Sequence, residues 1–219
     1  MKGLLKNNFY AALSSARVFS VIMLFLGIFV VITDNVFPSL LTAYMVSAII
    51  GFSANGIFAL ERENTSGWRK YKLNTPVSRK EIVGSYFIGF IPWLFAGIAF
   101  AGVCMVLSIA LHGFPFDRSV DVPIMFAAGI SVSLFMGGIF FPLFYLGGDS
   151  VVETVFLALS LFSGIGIVMG IVSLINRLFG QEQTTGEILI GVCIMIGCGA
   201  LTFALSYPLS VGIFRRKEG

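Results

Sequence analysis

Charge is what this sequence has least of. Lys, Arg, Asp and Glu make up 11% of its 219 residues, against about 25% in an ordinary soluble domain. That scarcity excludes a chain that folds alone in water behind a charged surface. Histidine occurs once, as His112 beside Gly113, and reads as a loop residue at a span end rather than as a ligand or a base. The three cysteines, Cys104, Cys193 and Cys198, lie inside apolar runs. They have neither metal-ligand spacing nor the pattern of a disulfide framework, so they read as small apolar packing residues. No G-x-x-x-x-G-K-[ST] phosphate loop is present, and the chain therefore cannot hydrolyse ATP by itself. H-E-x-x-H and G-x-S-x-G are missing too, which removes the usual zinc-protease and serine-hydrolase chemistries. No internal repeat, low-complexity stretch or domain-length linker occurs.

One further absence bears on energy. No Asp, Glu, Lys or Arg stands in the middle of any apolar run. Ion-coupled pumps and carriers place ionisable groups inside the bilayer as relays or counter-ions. If this chain moves anything uphill, the work enters from outside it.

What is there is oil. Hydrophobic residues make up 57% of the chain and the mean hydropathy is +0.96. With roughly 20 apolar residues needed per spanning helix, there is room for about six spans and no separate soluble domain. The fold class expected is an all-α integral membrane protein, one transmembrane domain over 1–219. Residues 1–17, MKGLLKNNFYAALSSAR, are too polar to span. Leu4, Leu5, Phe9, Ala12 and Leu13 share a helical face there, which predicts an N-terminal interfacial helix. A basic start before an apolar run also fits a signal peptide, but no small-residue cleavage site follows it. Charge-free runs then cover about 18–34, 37–60, 82–111, 122–147, 152–176 and 187–214. A charge at a helix centre costs about 2.5–3.5 kcal/mol on insertion scales, so runs this clean read as spans. The second opens on a proline, tolerated in a first turn, and Pro92 in the third predicts a kink or strong tilt.

Basic residues set the orientation. With the N-terminus inside, twelve of the fourteen Lys and Arg fall on inner segments, and only Arg118 and Arg177 fall outside. Acids split six to five. Both termini are expected in the cytoplasm.

Half of the inner cations sit in one segment, ALERENTSGWRKYKLNTPVSRKEIVGS, residues 59–85. Thr65 and Ser66 can cap a short helix over 67–73. Asn74-Thr75-Pro76 then breaks it, and Ser78-Arg79-Lys80-Glu81 is an S-x-x-E capping box ahead of the third run. Three readings of this segment stand side by side. Its charges can simply fix topology, with Trp68 and Tyr71 as interfacial anchors. They can bind anionic lipid. Or Trp, Tyr and Arg on a rigid element can dock a protein, because such residues carry most interface energy. Within the spans, Thr42 and Asn55 are the polar groups to consider for a pathway. Gly166-x-x-x-Gly170 is a candidate for close packing or a dimer seam, a pattern common in spans.

These features together resemble the ABC-2 type transporter permeases. The likeness is to the small six-span group that includes permease subunits of phenol-soluble modulin exporters and of some antimicrobial-peptide exporters. The residues that carry it are the basic start MKGLLKNNF, Glu61 and Glu63 at the exit of the second span, Gly67-Trp68 with Tyr71, and Leu73 with Pro76-Val77-Ser78-Arg79-Lys80. The resemblance implies a coupling helix between spans 2 and 3, seated in a groove of a separate ATP-binding subunit. Its contacts would be Glu61, Glu63, Trp68, Arg69, Lys70, Tyr71, Lys72, Leu73 and Pro76. It further implies two ATPase subunits, a second permease identical to the first, and a bacterial cell membrane as the location. ATP and Mg would sit on the ATPases, with no cofactor or metal in this chain and no nucleic-acid partner. The cargo implied is an amphipathic or antimicrobial peptide; lipids, hydrophobic drugs and a non-transporting immunity or scaffold role are the alternatives. One departure stands out. The inner turn Gly147-Gly148-Asp149-Ser150-Val151-Val152-Glu153 is acidic, where relatives often carry Lys or Arg, so a second cytoplasmic contact is in question.

Overall fold

The computed structural model describes residues 2–33, 38–65, 78–116, 118–147, 150–180 and 184–217. They form six helices: α1 (Lys2–Thr33), α2 (Pro38–Thr65), α3 (Arg79–His112), α4 (Asp121–Leu146), α5 (Ser150–Phe179) and α6 (Thr185–Lys217). No strand occurs among the described residues. Each helix contains a stretch long and apolar enough to cross a membrane. The helices have 26 to 34 residues, so α3 alone is about 51 Å long at 1.5 Å per residue. A hydrocarbon core of about 30 Å leaves such a helix several turns beyond it, or room to tilt.

The six apolar runs fall one to a helix, and Pro38 takes the first position of α2. The N-terminal region differs in detail. Sequence reading separates an interfacial helix, 1–17, from a span, 18–34; in the structure both belong to one continuous helix. The reason is local, since no Gly or Pro occurs between Leu4 and Leu26 to end it. Of the apolar face Leu4, Leu5, Phe9, Ala12 and Leu13, Ala12 lies in the core and Leu4 and Leu13 pack against it. Asn8, Ala12 and Ala16, one turn apart, are buried, while Phe9 and Tyr10 are exposed.

α2 and α4 form the centre, and α5 and α6 are the most peripheral helices. α4 packs chiefly against α6, and α2 against α3. Two glycines permit these seams. A Cβ on Gly97 would stand 2.7 Å from Ile49 Cα of α2, and one on Gly138 would stand 3.3 Å from the Phe203 amide nitrogen of α6. At Gly97 that excludes any side chain unless backbone moves, and at Gly138 the neighbour would have to give by a few tenths of an ångström. Pro92, Pro142 and Pro208 lie inside α3, α4 and α6, each of which continues through its proline.

Candidate functional site

The basic segment springs from the end of α2 and returns at the start of α3, and the structure describes both roots. On the incoming side α2 runs to Thr65, so Glu61 and Glu63 lie in its final turns. Ile57 and Leu60, just before them, are buried. Trp68, Arg69, Lys70, Tyr71, Lys72, Leu73 and Pro76 lie outside the described residues, as does the short helix expected over 67–73.

On the outgoing side the S-x-x-E box forms as its sequence dictates. Ser78 is extended, with φ −68° and ψ 143°. The Glu81 amide donates to Ser78 Oγ at 3.3 Å, and the Glu81 carboxylate accepts from the Ser78 amide at 3.2 Å and from its hydroxyl at 3.0 Å. The Ser78 amide, which the helix itself leaves without an acceptor, is thereby satisfied, and the Glu81 amide gains a second acceptor beside the Ser78 carbonyl at 2.9 Å, an arrangement that stabilises a helix start by about 1 kcal/mol.

Three long-range bonds then fix this helix start to its neighbours. Tyr207 Oη of α6 donates to the Lys80 carbonyl at 3.3 Å. Arg79 Nη1 donates to the Arg215 carbonyl at 3.2 Å. That carbonyl is in the last turn of α6, where no helical donor remains, and the guanidinium also places positive charge at the negative end of the helix dipole. Deeper in, the buried Asn8 Nδ2 of α1 donates to Ser85 Oγ at 2.9 Å, and Ser85 Oγ donates in turn to the Ile82 carbonyl at 2.7 Å. The first two turns of α3 are therefore held from both sides, by α1 and by α6.

Below these bonds lies an aromatic layer. The Phe87 ring is 4.4 Å from Phe141 and 5.5 Å from Tyr207, and Phe90 is 5.2 Å from Phe203, centroid to centroid. Phe9 of α1 stacks on Trp93 at 5.4 Å, with 14° between planes. Packed rings of this kind add about 0.5–1.5 kcal/mol per pair beyond their burial. The roots of the segment thus stand on a ring-filled base.

The candidate pathway and seam residues do not converge. Asn55 is buried in α2, its Nδ2 donating to the Gly51 carbonyl one turn back at 3.0 Å. Thr42 is half-buried in the first turns of the same helix. Gly166 and Gly170 lie on an exposed face of α5, and a Cβ on either would meet nothing within 4 Å. That face is open to an outside partner; Asn55 is not. Among the described residues no group of three or more His, Cys, Asp or Glu could hold a metal ion.

Sequence reasoning missed the members of the clamp that act at long range: Asn8, Ser85, Tyr207 and the Arg215 carbonyl. It also missed a second box that was in plain view. Thr184-Thr185-Gly186-Glu187 is T-x-x-E, and the Glu187 carboxylate accepts from the Thr184 amide at 2.7 Å and its hydroxyl at 2.9 Å, at the start of α6. The family described as ABC-2 family transporter protein matches residues 3–215. No curated protein and no solved structure matches the chain.

Proposed function

The chain belongs to the ABC-2 transporter family, and on that footing we propose that it exports amphipathic peptides, driven by an ATPase that grips the segment 61–76. Membership makes it a multi-pass membrane protein and the permease component of an ABC transporter. Such a component works with an ATPase subunit and is not itself the ATPase.

The observation that carries the proposal is the anchoring of the segment's outgoing root. ATP-driven closure of two ATPase subunits displaces the 61–76 element, which the ATPase holds through Trp68, Tyr71, Arg69, Lys70 and Lys72. A push on a loop does nothing useful if the loop yields. Here the force meets Ser78–Glu81 and passes at once to α1 through Asn8 and to α6 through Tyr207 and the Arg215 carbonyl. Three helices move together, and the bundle rocks between inward-closed and outward-open arrangements. The functional unit is two identical permeases with two ATPases, ATP and Mg bound on the latter. The segment and both termini face the cytoplasm, where twelve of fourteen cations fall. Charge-free spans suit an amphipathic peptide, antimicrobial peptides included, because it can shed its apolar face into them.

Proteoliposomes decide the matter. With the ATPase and ATP present, a labelled amphipathic peptide should accumulate against its gradient, and the chain alone should be inert. Uphill movement by the chain alone would sink the proposal. Equal accumulation of a lipid or an apolar drug would replace the peptide as cargo while leaving the coupling intact. ATPase binding with no cargo moved would favour a scaffold role.

A further inference from the structure

At the end of the bundle away from the basic segment, α1 and α3 do not close against each other. Between them lies a half-open groove of about 610 Å³, bordered by Ile28 and Ile32 of α1 and by Val103, Leu107 and Leu111 of α3. Its floor is Gly27, Tyr44 and Cys104. Gly27 lets that floor close as it does, since a Cβ there would stand 2.7 Å from Cys104 Sγ and 2.8 Å from Tyr44 Oη and one or both side chains would have to shift. The Tyr44 hydroxyl is spent inside the protein, donating to the Met23 carbonyl at 3.1 Å. The groove therefore offers a ligand apolar surface and no unused donor from that tyrosine.

We propose that this groove holds one acyl chain of a membrane phospholipid. Three observations favour that occupant. First, the groove lies between two span-length helices, so its open side faces hydrocarbon, and an apolar void of this size is filled by apolar matter rather than water. Second, its walls run about half the thickness of a hydrocarbon core of about 30 Å, the depth of one leaflet's acyl chains. Residues 24–32 of α1 cover about 12 Å and 99–111 of α3 about 18 Å at helical rise. Third, polarity changes at the mouth. Ile32 and Leu111 line it, and Thr33 and His112 follow them directly at the helix ends. An amphiphile with a polar head at the helix ends and a tail running inward matches that sequence of surfaces; a wholly apolar solute does not.

The test uses the full chain in bilayers doped with phosphatidylcholine carrying a photoactivatable diazirine in one acyl chain. Labelling should concentrate on Ile28, Val103 and Leu107, well above Leu201 and Leu205 on the exposed face of α6. Val103 is 59% exposed, so Val103→Phe fills the groove without entering the core. It should cut labelling of Ile28 and Leu107 about tenfold, as expected when roughly two methylenes lose their burial. Leu201→Phe, of the same size change on the far face, should leave it unaltered. Equal labelling of the α1/α3 and α6 faces would overturn the assignment, as would undiminished labelling in a Val103→Phe protein that elutes as wild type does. Complete displacement by an equal amount of free fatty acid would also overturn it. So would efficient disulfide formation between copies through Leu107→Cys in a background lacking the native cysteines.

Discussion

The two ends of the bundle are built from the same helices and held in opposite ways. At the end that carries the basic segment, hydrogen bonds cross 77, 127 and 136 residues of sequence to join α1, α3 and α6. At the other end Tyr44 joins α2 to α1 across 21 residues, but the bonds described for Thr33, Arg118 and Thr184 reach no more than four residues away, and α1 and α3 part around an oily groove. Both ends have a capping box of identical chemistry, Ser78 with Glu81 and Thr184 with Glu187. Local structure is thus equal at the two ends, and only tertiary fastening differs. One end is fit to receive a displacement, the other to accommodate one.

That contrast can be broken, most severely at the segment itself. Trp68→Ala combined with Tyr71→Ala should weaken ATPase binding on the order of a hundredfold or more, since buried aromatic anchors carry about 2 kcal/mol or more each. Co-purification or surface plasmon resonance reads it, and unchanged binding would discard the docking role. The paired boxes give the sharpest comparison. Ser78→Ala and Thr184→Ala should each cost about 1 kcal/mol in unfolding, but only Ser78→Ala should lower cargo-stimulated ATP hydrolysis in proteoliposomes. If both lower it equally, the distinction between the ends is empty. Asn8→Ala should destabilise by about 0.6–1.7 kcal/mol, the range for hydrogen bonds between membrane helices, and should uncouple hydrolysis from transport. Smallest is Tyr207→Phe, which keeps the ring in the aromatic layer and removes one 3.3 Å bond. A change near 0.6 kcal/mol is expected, with ATPase binding intact.

What could be read beforehand follows from range. The spans were legible because an apolar run of some 20 residues admits one reading in a membrane. The Ser78 box was legible because all its partners lie within four residues. Thr184 with Glu187 is equally local, but Thr184 stands just ahead of the apolar run that begins at 187, with no basic cluster beside it to mark the spot. Asn8 carried no such signal. Its amide sits in a segment that reads as interfacial, and its significance depends on Ser85, 77 residues on. Ala12 and Ala16 behind it were the available clue, because small residues at one-turn spacing mark the side of a helix that approaches a neighbour closely. The groove between α1 and α3 was beyond reach, since no residue in its wall departs from what a lipid-facing helix would carry.

The prolines within α3, α4 and α6 lead to a last consequence. Having no amide hydrogen, Pro92, Pro142 and Pro208 leave the carbonyls of Ile88, Gly138 and Ala204 without their usual backbone donors. Ring contacts among Phe87, Phe90, Phe141 and Phe203 put those three gaps at one height in the bundle. Three neighbouring rods each missing a rung at a common storey make that storey the level at which bending costs the helices least. Motion delivered at the clamped end would turn there into a change of angle, with the rings as its bearing, and reach the far end as a swing rather than a shove.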